Sequence, residues 1–269
     1  MTFICNHYKF KSDEEYTKRQ IEYDKSGYMQ YKLSDKTMHH TWKNECNKIN
    51  NTTITKYVNE LKEHILTPLK NIDTEYYFLS IVVMFRYEDD YLEEWLHYYI
   101  LQGTEHFFMY SNHNTQQTLQ ILQPFIDKGY VTLIEWNDSV LNSIPESTRR
   151  KTWKDYSKLS TQNLAFMDFA KNHKHKTKWI MKVDIDEFIY SIDTKLKIKE
   201  VLKKSSIKYY SVPRTDFGNN NHKTKPNGLI IENYTESAIV KSNVKAIALT
   251  AFISKDDIGA VHSFKMTQK

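Results

Sequence analysis

Glycine and proline are scarce, six and five among 269 residues. A chain so poor in both does not hold long flexible linkers or an extended proline-rich segment. Cysteine is rarer still, with Cys5 and Cys46 alone. One disulfide between them is allowed but nothing demands it, and a reducing compartment is the expectation. No apolar run approaches the ~20 residues of a membrane span, and residues 1–7 have no signal-type apolar core. The expectation is a cytoplasmic chain without a span. A viral or bacterial setting, or a piece cut from a longer protein, would equally account for the missing leader. Low-complexity tracts and repeats are absent apart from the short polar run at 50–53. The net charge of +5 comes from scattered basic residues rather than a block, so a nucleic-acid-binding module is set aside.

Hydrophobic residues make up 40% and aromatics 14%, enough for one large domain or a domain with an appendage. Residues 1–76 are polar and rich in Tyr and Lys. They read as an N-terminal extension packing on the main domain, with helices expected over 13–23 and 54–69. The main domain occupies 77–269. Residues 78–85 form a β-branched apolar run, expected as a fully buried strand. A helix follows, capped by Asp90 with Glu93 as its capping-box partner and closed by Gly103. A strand at 106–110, a helix at 115–127 closed by Gly129, and a strand at 130–134 complete a β-α-β-α-β rhythm. That rhythm predicts an α/β fold, a Rossmann-like, mostly parallel sheet with helices on both faces. A polar, partly basic loop at 135–156 carries Arg149, Arg150, Lys151 and Lys154, and a helix spans 160–172. Beyond it come a strand at 179–183 and shorter strands at 207–212, 228–232, 244–249 and 260–264, expected as a smaller mixed sheet. The division is a nucleotide-type half at 77–190 and an acceptor-type half at 191–269.

The strongest chemical signal is Asp184-Ile185-Asp186-Glu187, where a buried strand runs into carboxylates. Alternation along an extended chain points Asp184 and Asp186 the same way, toward one hard divalent cation. Glu187 points elsewhere, to a backbone or Arg partner. Ligands of open α/β sheets bind beyond the carboxyl ends of the strands. Arg86 and Glu88 lie at one such end, and Asn112 and Asn114 at the next. Each pair suits a nucleoside, and each is also an ordinary turn or helix cap, with Asn114 or Thr115 as the cap. His262 is either a satisfied core histidine or a third ligand to the same metal. Asp216 and Glu232 are candidate general bases for an acceptor hydroxyl, or plain surface carboxylates.

These residues together resemble glycosyltransferase family 92 and its family-2-like relatives. The resemblance runs through residues 82–89, Leu92-Glu93-Glu94-Trp95, Gly103, residues 106–110, Gln162, Trp179 to Phe188, Val212-Pro213-Arg214, Phe217-Gly218, Gly228-Leu229, Glu232, Tyr234 and His262. It implies a GT-A fold, a nucleotide-sugar donor (UDP-linked by expectation), Mn²⁺ or Mg²⁺, and transfer with inversion to a carbohydrate or glycoconjugate acceptor. Asp184, Asp186 and His262 are then expected at the metal. Arg86, Glu88, Asn112, Asn114, Gln162, Asp184 and Arg214 are expected at the donor. Tyr87 stands where the family usually has Asn, and Ser111 where it often has Asp. Arg149, Arg150 or Arg214 can add to the stabilisation of a leaving diphosphate, and the 135–156 loop can close over it. Two rival readings share parts of this pattern. A haloacid-dehalogenase-type phosphatase carries its Asp-x-Asp after the first strand, which does not match. The other is a GT-A-fold nucleotide- or sugar-binding protein without activity.

Overall fold

The computed structural model describes residues 2–8, 11–25, 44–149, 158–193, 196–239, 242–256 and 260–267. Arg150, Lys151, Lys154 and Tyr156 of the basic loop lie outside the described residues. In chain order the elements begin with β1 (Phe3–His7), α1 (Asp13–Lys25), β2 (Ile49–Asn50), a 3-10 turn (Thr53–Tyr57) and α2 (Val58–Leu66). The parallel unit follows as β3 (Tyr77–Phe85), α3 (Asp89–Leu101), β4 (His106–Ser111), α4 (Gln116–Asp127) and β5 (Val131–Glu135). Next are α5 (Asp138–Ser143), α6 (Thr161–Asn172), β6 (Thr177–Lys182) and β7 (Glu187–Ser191). The last are α7 (Ile198–Lys203), β8 (Tyr209–Asp216), α8 (Ile230–Asn233), β9 (Glu236–Ser237) and β10 (Ser242–Leu249).

Eight strands form one sheet in the order β5-β4-β3-β6-β10-β8-β1-β7, and β2 pairs with β9 in a small antiparallel sheet. The β5-β4-β3-β6 block is parallel, as its alternation with helices requires. Strand β10 is antiparallel to both β6 and β8. Both faces of the sheet are covered, so β3 and β4 read as unbroken apolar runs. Ile81, Val83, Phe107 and Met109 pack with Leu92, Trp95 and Leu96 of α3 and Leu122 of α4. Val82, Phe108 and Tyr110 pack on the other face with Leu164, Phe166 and Phe169 of α6. Each such large side chain taken fully out of water contributes ~1.5–3 kcal/mol before entropic costs. The expected α/β, mostly parallel sheet is therefore present.

Residues 3–7, expected within an extension, lie inside the main sheet. Strand β1 runs parallel to β8 and antiparallel to β7, so both its edges are paired. Cys5 and Cys46 are both buried and form no disulfide with each other.

Three local expectations are corrected. Helix α3 starts at Asp89 after Glu88, without the capping box of Asp90 and Glu93. Asp89 is drawn to the neighbouring loop, accepting from the hydroxyls of Thr115 at 2.7 Å and Thr118 at 2.6 Å. Asp90 instead meets Lys18 at 3.2 Å. Residues 230–233 form a short helix, not a strand. Gly228 turns the chain at φ 98°, and the Glu94 carboxylate accepts the N–H groups of Ile230 and Ile231 at 2.8 and 3.3 Å. Residues 260–264 make turns rather than a strand, because the Lys182 ammonium binds the Ser263 carbonyl at 2.7 Å and lies between the Phe166 and Phe264 rings. Gly103 and Gly129 follow the ends of α3 and α4 with positive φ, as expected of helix stops.

Candidate functional site

Strand β6 is buried from Trp179 to Lys182, and after the buried Val183 the chain turns through Asp184 and Asp186 into β7. The turn is held from helix α3. The Trp95 indole N–H donates to the carbonyls of Asp184 at 2.9 Å and Glu187 at 3.2 Å, and the Tyr99 hydroxyl donates to the Glu187 carbonyl at 3.0 Å. The Glu187 carboxylate closes the turn by accepting the Asp184 N–H at 3.0 Å, and it meets the Arg214 guanidinium at 3.3 Å. Backbone and Arg are the partners expected of it.

From this turn a ring of charge passes across four strands. Lys245 of β10 places its ammonium 2.6 Å from Asp184 Oδ2 and 2.6 Å from Glu187 Oε2. Arg214 of β8 joins Glu187 to Asp216, with Nε 3.2 Å from Asp216 Oδ1. His7 of β1 continues from Asp216, Nδ1 to Oδ1 at 2.7 Å, and its Nε2 lies 3.7 Å from Asp186 Oδ1. Gln162 of α6 donates to the other oxygen of Asp184 at 2.9 Å. Asp184 is the member that reaches solvent, its side chain 29% exposed, against 1% for Lys245 and 0% for Glu187.

Burial alone raises the Asp184 carboxyl, but the Lys245 ammonium outweighs it and holds the group below its ordinary range. Glu187 is raised by complete burial, with the Asp184 charge adding to the rise against Lys245. Burial disfavours charge on Lys245, yet Asp184 and Glu187 keep it protonated far above neutrality. Arg214 behaves likewise, its burial outweighed by Asp216 and Glu187. His262 is pushed down to about 4 by burial and then by Lys245. It is a neutral imidazole at pH 7, and its buried Nδ1 has no hydrogen-bond partner.

A divalent cation fits this donor set by its charge balance. Asp184, Asp186, Glu187 and Asp216 bring four carboxylates, and Lys245 and Arg214 bring two permanent cations. A +2 ion would complete the balance, and carboxylate with neutral imidazole suits Mn²⁺ or Mg²⁺. Among the described residues no three His, Cys, Asp or Glu side chains already converge as a cation cage. Asp184 is turned to Lys245 and Gln162.

The second group of expected residues gathers at the ends of β3 and β4. Arg86 donates to Asn112 Oδ1 at 3.2 Å, and Asn112 donates to the Trp136 carbonyl at 2.7 Å. Glu88 is buried at the start of α3. Asn114 has a buried Oδ1 without a partner, while Thr115 serves as the cap of α4. Tyr87, between Arg86 and Glu88, has φ 54°, a conformation rare for a bulky residue, and its ring leans on His113 at 4.8 Å. Beside them opens a cavity of about 260 Å³ lined by Lys11, Tyr16, Tyr87, Glu88, His113 and Thr115 among others.

The structure thus brings Asp184, Asp186, Gln162, Arg214 and Asp216 together, with His262 in electrostatic reach of Asp184. Arg86, Glu88, Asn112 and Asn114 share the neighbouring rim. Glu232 sits elsewhere, exposed on α8 and 2.7 Å from Lys62. Arg149 donates to Asn142 within its own loop at 2.8 Å. Two members of the ring escaped the sequence reading. Lys245 had a signal, a lone lysine in the apolar run Val244-Lys245-Ala246-Ile247-Ala248. His7 had none, because its partners are more than 170 residues away.

A family model described as glycosyltransferase family 92 matches residues 76–247. The match holds the Asp184 turn, Arg214, Asp216 and Lys245, and it leaves out β1 and His262. A search of curated proteins finds no match.

Proposed function

Since the chain belongs to glycosyltransferase family 92, we propose that its site moves a sugar from a UDP-sugar to a hydroxyl of a carbohydrate or glycoconjugate acceptor, with inversion and with Mn²⁺ or Mg²⁺. The observation that carries this reading is the charge balance around Asp184: an acidic surplus at the carboxyl end of a parallel strand, opening to solvent through one carboxylate.

Asp184, Asp186 and His262 are the residues to hold the cation. When bound, it supplies Lewis-acid stabilisation and orientation of the diphosphate. Arg86, Glu88, Asn112 and Asn114 bind the nucleoside at the rim beside the 260 Å³ cavity. Gln162 and Lys245 orient Asp184, and Arg214 holds Glu187 and Asp216 in place. In a single displacement the acceptor oxygen bonds to the anomeric carbon as the bond to the diphosphate oxygen breaks. The acceptor's proton passes to a carboxylate on the opposite side of the sugar. Asp216 is proposed for that role over Glu232, because Asp216 lies in the charge ring beside the Asp184 turn while Glu232 sits apart from it on α8.

The test is release of UDP or GDP from a panel of nucleotide sugars in Mn²⁺, for the wild-type protein and for Asp184→Ala with Asp186→Ala. The reading expects release from one donor, lost in the variant. Absence of release from every donor, together with absence of Mn²⁺-dependent nucleotide binding, overturns it. Mn²⁺-dependent binding without release would favour a binding protein of the same fold.

A further inference from the structure

The first strand lies outside the matched segment and inside the sheet. Its register sets His7 opposite Glu187 on one side and Asp216 on the other. A five-residue interior strand needs only apolar side chains to fill its place, and Phe3 and Cys5 do that. His7 is a buried polar residue with carboxylates at both ring nitrogens, Asp216 at 2.7 Å and Asp186 at 3.7 Å. The backbone beside it grips the same two segments. The Tyr8 N–H donates to the Asp186 carbonyl at 2.8 Å, and the His7 carbonyl accepts from the Phe217 N–H at 2.8 Å. An imidazole ring cannot change its length, so it sets the spacing of the two carboxylates.

We propose that His7 is a positioning residue of the transfer site, holding Asp216 at a fixed place relative to Asp186. The N-terminal strand is then part of the working site and more than a sheet filler. This rests on the transferase reading above. His7 touches neither sugar nor diphosphate. It acts through Asp216, the proposed proton acceptor, and through Asp186 of the cation site, as partners behind metal-site and catalytic side chains do.

The test uses the full chain and two variants, His7→Leu and His7→Asn. Leucine removes both contacts. Asparagine keeps an amide that can donate to Asp216. Four quantities are measured: the thermal midpoint, Mn²⁺-dependent UDP binding by calorimetry, and the kcat and KM for donor turnover. The proposal expects folded His7→Leu protein with kcat lowered about 10–100-fold, the range seen when a supporting partner is removed, and partial rescue by His7→Asn. UDP binding is expected to change less than kcat, because the closer partner is Asp216. If His7→Leu does not fold, His7→Asn decides by the same kcat measurement. Variants within about twofold of wild type in both binding and kcat overturn the proposal. So does failure of both variants to fold, which would make His7 purely architectural. A wild-type protein that neither binds UDP with Mn²⁺ nor releases it marks failure of the transferase reading, and the assignment of His7 goes with it. Active wild type with unchanged variants removes His7 alone.

Discussion

The Lys245 ammonium stands 2.6 Å from Asp184 and 2.6 Å from Glu187, bridging the two carboxylates of the turn. The lysine is 1% exposed and also bonded to Glu187, whereas the Asp184 side chain is 29% exposed. Lys245 is the shared counter-ion of the two carboxylates that close the turn.

Replacing Lys245 by Met leaves Glu187 and Asp184 without their shared partner. Breaking one side of a buried ion pair costs about 3–5 kcal/mol, and that loss is expected here in urea unfolding. Added Mn²⁺ should restore part of it, raising the midpoint of the variant more than that of wild type. A variant as stable as wild type in metal-free buffer would contradict the role given to Lys245.

The two base candidates separate by kinetics. Asp216→Asn is expected to lower kcat by about 10²–10⁴-fold, the usual worth of a positioned general base. Glu232→Gln loses an exposed contact with Lys62 and should leave kcat close to wild type. The reverse order would move the base to α8.

Trp95→Phe keeps the ring packing on Tyr99 and Phe107 but removes the donor to two carbonyls of the Asp184 turn. The two carbonyls keep the Glu187 N–H and the Tyr99 hydroxyl as donors, so the loss is that of ordinary hydrogen bonds, about 0.5–1.5 kcal/mol each. A lower thermal midpoint with weaker Mn²⁺-dependent UDP binding is expected. A change in stability alone would show that the turn keeps its shape without the indole.

Acid should unfold this protein in a defined window. His97 is lowered to about 4 by burial and then by His64, and His106 to about 4 by burial, opposed by its bond to the Gly129 carbonyl. Unfolded histidine titrates near 6.5, roughly, so the unfolded chain binds these protons first. Their contribution to stability is present above pH ~6.5 and is lost as pH falls toward ~4. Unfolding free energy measured between those limits should show proton uptake on unfolding. His97→Phe should reduce that uptake by about one proton, and an unchanged slope would contradict the assignment.

Much of the parallel half was legible because its cause is local. The apolar runs of β3 and β4 alternate between two cores, and Gly103 and Gly129 stop the helices where positive φ is needed. The Asp184 turn was legible for the same reason, as an abrupt change from buried strand to carboxylates. What could not be read depends on distant partners. Residues 230–233 became a helix because Glu94, far back in the chain, takes their N–H groups. Residues 260–264 became turns because Lys182 holds Ser263. His7 acquired its place only through pairing with β7 and β8.

That pairing also orders events in time. His7 and Asp216 are separated by 209 positions in the chain. At ~5–20 residues per second on the ribosome, the first strand waits on the order of 10–40 seconds for its neighbour to be made. Strand β1 is made well before β7 and β8 and must therefore be among the last elements to settle. Until it does, β7 and β8 present bare edges to whatever strand is nearest, another copy of the chain included.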